Sequence, residues 1–161
     1  GWLNQQYLKA AADDRLAALV EPFLRKDGCD PAQGPSLERV VGLLKERVTR
    51  IEELADAAVY FYRRLTPSDA LREQHYLVGV GAAVDALAER LRHVEWQRPA
   101  IAEAIKTTAT ERGWKMPKLA MPLRVIVTGE AQTPAIDAVL ELLGRDETLV
   151  RIATERTRVP E

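Results

Sequence analysis

Cysteine occurs once in the 161 residues, at Cys29; histidine occurs twice, at His75 and His93; and no apolar run approaches membrane-spanning length. Each scarcity removes a class of answer. A lone cysteine excludes an intramolecular disulfide and any cysteine-based zinc cluster, and it fits a reducing compartment. His75 and His93 lack metal-binding spacing and sit in neither a His-x-x-x-His nor a Glu-x-x-His pattern, so they read as surface or half-buried helical histidines. A spanning helix needs about 20 apolar residues, and a signal peptide needs a charged-then-apolar start; with neither present, a cytoplasmic protein with no membrane contact is expected. Glycine-rich phosphate loops are missing too. Gly79-Val80-Gly81 is too short for a dinucleotide turn and lies within helical patterning. No Ser-His-Asp set is arguable, because Ser36 and Ser68 occupy helix-start positions. The adjacent carboxylates Asp13-Asp14 and Glu52-Glu53 fall at helix ends, where the helix dipole accounts for them. No catalytic residue, metal ligand or cofactor is therefore expected in this chain.

What is present is an ordinary soluble mixture, 47% hydrophobic and 29% charged, in a length that suits one sizeable domain or two small ones. The net charge of −1 gives no sign of a polyanionic partner. Locally the balance differs: Lys106, Arg112, Lys115, Lys118 and Arg124 stand against Glu111 alone. A basic face of this kind binds phosphates even on a neutral protein. A solvated surface with coincidental clustering is the plainer reading of the same residues. The opening run, Gly1-Trp2-Leu3-Asn4-Gln5-Gln6-Tyr7-Leu8-Lys9, has no initiator methionine and reads as the middle of something, so a piece of a longer protein is expected.

Nearly every segment carries the 3.6-residue period, which predicts an all-α fold with no substantial sheet. Residues 13–26 place Leu16, Val20, Phe23 and Leu24 on one stripe, with Asp13 or Asp14 as cap and Gly28 past the end. After the turn-rich loop 30–36 a helix is expected from Leu37, with Val40, Val41 and Leu44 inward. Thr49-Arg50-Ile51-Glu52 fits a capping box, so another helix should run from there to about Arg64. Thr66-Pro67 repeats a start signal. Residues 82–94 and 98–112 follow, the latter stopped by Gly113, and shorter helices are expected over 117–128, 134–143 and 146–156. Val125-Ile126-Val127 would suit a strand, but three residues without a partner strand leave helix as the better reading. The change from longer to shorter helices predicts two helical subdomains, residues 1–112 and 113–161.

Residues 118–144 are the most informative stretch. A proline-led apolar segment carrying Arg124 runs into Thr128-Gly129, a short bridge leads to Thr133-Pro134, and a new helix pattern closes at Gly144. Two helices joined by a tight elbow would present connecting backbone, one cation and one hydroxyl at a single corner. Such a corner suits an extruded base and holds nothing that resembles a catalytic group.

An ordered set of motifs carries a likeness. Trp2-Leu3-Asn4-Gln5-Gln6-Tyr7-Leu8, a tryptophan turn near Trp96, Lys118-Leu-Ala-Met-Pro-Leu-Arg124, Thr128-Gly129, Thr133-Pro134 and Leu142-Leu143-Gly144-Arg145 occur in sequence. Together they resemble the C-terminal anticodon-binding region of bacterial glutamyl-tRNA synthetase, most closely over 118–152 and the first nine residues. The resemblance implies a non-catalytic RNA-recognition module, inactive alone, of a class I glutamate–tRNA ligase. Its partners would be the anticodon loop of tRNA(Glu) and an upstream catalytic domain holding ATP and magnesium, in a monomeric enzyme. Carried over by position, Arg47 aligns with the arginine that tests the last anticodon base, with Arg50 as the alternative. Arg124 aligns with the arginine of the Pro-Leu-Arg segment, and Thr133, Pro134 and Ile136 with the elbow that holds the first two bases. Arg50, Lys115 and Lys118 would meet phosphates. Lys115-Met116-Pro117-Lys118 also resembles the lysine-methionine loop of class I synthetases. That loop needs an α/β nucleotide domain with a His-Ile-Gly-His motif, and the chain has neither, so these residues read as a basic turn opening a helix.

Without the resemblance each residue has a plainer use. Arg47 is a solvated helix residue near a glutamate, Arg124 covers apolar surface with its stem, Thr133-Pro134 starts a helix, and Trp2, Trp96 and Trp114 pack cores. A helical module docking an acidic protein partner through the basic face is the alternative function.

Overall fold

Residues 2–161 are described in a computed structural model, with side chains from residue 6 onward. The Trp2 side chain, part of the first motif, lies outside the described residues. Among the described residues the chain forms ten α-helices, three short 3₁₀ turns and no strand, so the all-α expectation holds. It divides into two compact units, Gly1–Arg63 and Arg64–Glu161.

The first unit contains α1 (Trp2–Ala10), α2 (Asp13–Lys26), α3 (Leu37–Leu44) and α4 (Ile51–Tyr62). Helix α2 has the predicted bounds, and Leu16, Val20 and Leu24 are fully buried against α3 and α4. Phe23, expected on the same stripe, is 38% exposed because it falls at the stripe's edge. The expected aspartate cap is not formed: Ala12 is the N-cap, and Asp13 accepts a 2.9 Å bond from Lys45 Nζ instead. The capping box also shifts by one residue. Helix α4 starts at Ile51, and the partner of Thr49 is Glu53, not Glu52, at 3.4–3.5 Å.

The second unit contains α5 (Asp69–His75), α6 (Val80–Leu91), α7 (Arg98–Glu111), α8 (Met116–Thr128), α9 (Ile136–Leu143) and α10 (Arg145–Glu155). Thr66-Pro67 does not open α5. Ser68 does, its hydroxyl accepting from Leu71 N at 3.2 Å, which satisfies one of the helix's orphan donors. Gly113, at φ 69°, stops α7 as expected. Both α8 and α9 then pack back onto α7, so residue 113 lies within the second compact unit. The run Val125-Ile126-Val127 is helical and almost wholly buried, tertiary packing outweighing β-propensity. Pro122 sits inside α8 and is buried, so the backbone bond it removes is offset by packing.

Polar ties fix the helix ends around this core. Trp96 Nε1 donates to Leu140 O at 3.0 Å. Arg145 donates to the carbonyls of Leu91 and Val94 and lies 5.4 Å from the Trp96 ring centroid. Arg151 is 5% exposed; its Nη1 donates to Val127 O at 2.7 Å and its Nε to Glu147 at 2.7 Å. Glu147 also accepts two bonds from Arg64 at 2.9 and 3.0 Å. The Arg64 bonds lead, with those of Arg151 adding to them against the effect of burial, in pulling its carboxyl down to about 2.

Candidate nucleic-acid interface

The elbow begins where α8 must stop. Gly129 takes φ 72°, and a Cβ there would lie 2.9 Å from Leu65 Cβ and 3.0 Å from Leu65 O. The position therefore needs glycine twice over, for its left-handed backbone and for the close approach. The Thr128 hydroxyl donates to Arg124 O at 2.7 Å and accepts from Glu130 N at 3.0 Å, closing the helix end onto the loop.

Arg124 and Thr133 meet across this turn. Arg124 Nε donates to Thr133 Oγ1 at 2.6 Å, and that hydroxyl in turn donates to Pro134 O at 2.9 Å. Arg124 Nη1 lies 2.9 Å from the thioether of Met121, one helical turn earlier. Half-buried and held through Nε, the guanidinium has a defined direction. Thr133-Pro134 does not start α9, as its sequence predicts. Ala135 is the N-cap, with no side-chain bond, and the helix begins at Ile136, while the threonine hydroxyl is bonded to Arg124 and to Pro134 O. Pro134 and Ile136 are buried, so they shape the elbow from within.

Arg47 is placed differently. It ends the 3₁₀ turn Lys45–Arg47 after α3, is exposed, and has no ion pair or hydrogen bond among the described residues. Arg50, the N-cap of α4, is 61% exposed in its side chain and donates to Glu53 at 2.9 Å. It borders an open cavity of about 410 Å³ shared with Tyr7, Thr49 and Glu52.

The basic stretch of the second unit is arranged around the start of α8. Lys115 is its exposed N-cap, as the basic-turn reading expects, and Lys118 Nζ sits 4.6 Å over the Trp114 ring. Arg112 is turned onto the carbonyls of Thr108 and Ala82. Glu111, the one acid of the stretch, takes a 2.5 Å bond from Arg90, which holds its carboxyl below the ordinary glutamate range. The local field is thus more positive than the residue count implies. His93 is 74% exposed and His75 half-buried, and among the described residues no group of three or more His, Cys, Asp or Glu could hold a metal.

Sequence reading missed the bond between Arg124 and Thr133, the thioether of Met121 and the ties made by Arg145. The spacing of nine residues across the elbow carries no periodic signal for the first. The Leu142-Leu143-Gly144-Arg145 motif marks the last, without its role.

An anticodon binding domain model matches residues 15–155. The chain belongs to the anticodon-binding domain family. Curated relatives of this anticodon-binding domain include the glutamate–tRNA ligase of Nitrosospira multiformis, 60% identical over 153 residues, covering 94% of this chain and 33% of that protein. The glutamate–tRNA ligase of Thiobacillus denitrificans is 56% identical over 151 residues, covering 94% and 32%. The chain spans about a third of the length of the curated relatives it matches. Among solved structures, a glutamate tRNA ligase from Elizabethkingia meningosepticum superposes with a TM-score of 0.85 at 23% identity, over 97% of this chain and 31% of that one, a likeness of fold. No helix among the described residues is long and apolar enough to cross a membrane.

Proposed function

We propose that this chain reads the anticodon loop of tRNA(Glu) as the C-terminal region of a monomeric, cytoplasmic glutamate–tRNA ligase. The parent would attach glutamate to its tRNA with ATP and magnesium held in a catalytic domain upstream. This segment's own work is recognition, and its isolated activity in glutamate activation is expected to be nil. Functionally it divides at residues 1–112, with Arg47 facing the last anticodon base, and 113–161, with the elbow facing the first two.

The observation that carries the reading is the 2.6 Å bond from Arg124 Nε to Thr133 Oγ1, in a chain of the anticodon-binding family. Single-stranded loop bases are read on their Watson–Crick edges once splayed from the stack. A guanidinium has donors only, and cytosine offers O2 and N3 as acceptors on that edge. Guanine presents N1–H and its amino group there, so an arginine facing it meets donors. One such contact discriminates by about 1–3 kcal/mol, which suits separating a glutamate anticodon, ending in C, from a glutamine anticodon, ending in G. A thioether is a weak acceptor, so Met121 yields to a base oxygen at little cost. Lys115 and Lys118 supply phosphate contacts near Trp114, and Arg50 supplies one beside the Tyr7 cavity.

A gel-shift comparison of tRNA(Glu) and tRNA(Gln) across a salt series tests the reading. Preference for tRNA(Glu), with affinity falling as salt rises, is expected. Equal affinity for both tRNAs, or salt-independent binding, contradicts it.

A further inference from the structure

Helices α6 and α7 leave a groove that the anticodon reading does not use. Its floor is made by small or short side chains: Ala100 and Ala104, one turn apart on α7, with Val94 from the loop after α6. Over these alanines the surface dips into a wide, shallow, solvent-open groove of about 560 Å³. Glu89, Glu95 and Glu103 are exposed around its rim. Glu89 is already met by Arg92 at 3.5 Å and His93 at 3.2 Å, and Glu103 accepts from the Thr107 hydroxyl at 3.5 Å. Glu95 and Glu103 have no ion pair among the described residues, so two carboxylates of the rim keep an unmatched charge. The one arginine of the lining, Arg90, is turned onto Thr108 at 2.9 Å and Glu111 at 2.5 Å, so its charge is already matched.

An apolar floor beside the two carboxylates without a cation, Glu95 and Glu103, repels a phosphate backbone and attracts cations carried on an apolar stem. The geometry points to this groove as the docking site of a basic amphipathic peptide segment from a partner protein, an aliphatic anchor seated on Ala100 and Ala104 and lysines or arginines at Glu95 and Glu103. The mode is a helix laid into a two-helix groove, with anchors at i, i+3 and i+4. It neither uses nor disturbs Arg47 or the elbow at Arg124.

The test uses this chain, ¹⁵N-labelled, titrated with three synthetic peptides: an amphipathic lysine–leucine helix, a lysine–serine peptide of the same charge, and a glutamate–leucine peptide of the same anchor pattern. Amide shifts confined to residues 89–107 are expected for the lysine–leucine peptide alone. Two substitutions separate charge from shape. Glu95→Lys with Glu103→Lys, both exposed, reverses the rim and is expected to weaken binding by about tenfold or more. Ala100→Leu fills the floor without changing charge and is expected to weaken it by about tenfold, with tRNA affinity unchanged in this variant and the preference for tRNA(Glu) over tRNA(Gln) unchanged in both. Equal binding of the lysine–serine or glutamate–leucine peptide, shifts scattered over the surface, or affinity unmoved by the charge reversal overturns the assignment. So does concentration-dependent self-association that protects residues 89–107, which would make the occupant a second copy of the chain.

Discussion

The two arginines proposed to read bases sit in opposite physical states. Arg124, in the second unit, is half-buried, with Nε donating to Thr133 and Nη1 on Met121, so its direction is set before any ligand arrives. Arg47, in the first unit, is exposed at the end of a 3₁₀ turn and has no hydrogen-bonded partner among the described residues. Immobilising a free arginine costs up to about 2 kcal/mol of rotamer entropy, whereas a side chain already held loses less on binding. The same chemical group should therefore contribute strongly to affinity at the elbow. At Arg47 it should contribute mainly discrimination, because a wrong base there leaves donors facing donors.

The contrast can be broken or sharpened in several ways. Arg124→Ala should lower affinity for a tRNA(Glu) anticodon stem-loop by about 100-fold, near 3 kcal/mol, in filter binding. Arg124→Lys should recover little, since an ammonium lacks the planar fork. Gly129→Ala attacks the elbow itself. Left-handed backbone strain and the Leu65 approach should destabilise the second unit by about 2 kcal/mol, read as a melting temperature roughly 5–10 °C lower. Arg47→Gln should reduce the preference for C over G at the last anticodon base by about tenfold, with no shift in melting temperature. Thr133→Val keeps the shape and removes the hydroxyl. It should lower affinity by roughly fivefold, about 1 kcal/mol, and draw Arg124 toward the state of Arg47.

The smallest effect concerns the frame behind the elbow. Glu147 holds Arg151, which in turn holds Val127 O near the end of α8. Its folded carboxyl, at about 2, lies below the ordinary value of 4.5. Its stabilisation is therefore complete above pH 4.5 and is lost as pH falls toward 2. The network is partly exposed, so about 1 kcal/mol is expected. Denaturant melts at pH 6 and pH 3 should show that loss in the wild type and much less of it in Glu147→Gln.

Helix existence and most of the inward apolar positions were legible in the sequence, because the 3.6-residue period of Leu16, Val20 and Leu24, or of Val40, Val41 and Leu44, reports one buried face, with Phe23 at the edge of the first. Helix starts were less legible. Asp13, Glu52, Thr66 and Thr133 all carry good cap chemistry, yet Asp13 bonds Lys45, Glu53 replaces Glu52, Ser68 outcompetes Thr66 and Thr133 serves Arg124. A cap signal names a side chain able to bond locally and cannot tell which neighbour the fold will bring closer. The elbow was readable as a corner holding a cation and a hydroxyl. Their mutual bond was not, since it depends on how the loop after Gly129 closes. The compact units, divided at Arg63, likewise follow from packing, which the glycine at 113 does not report.

The most direct measurement is equilibrium binding of this chain to two anticodon stem-loop RNAs that differ only in the last anticodon base, C or G. A preference for C of about tenfold or more is expected, reduced in Arg47→Gln. Equal affinities for the two RNAs with the wild-type chain would contradict the account.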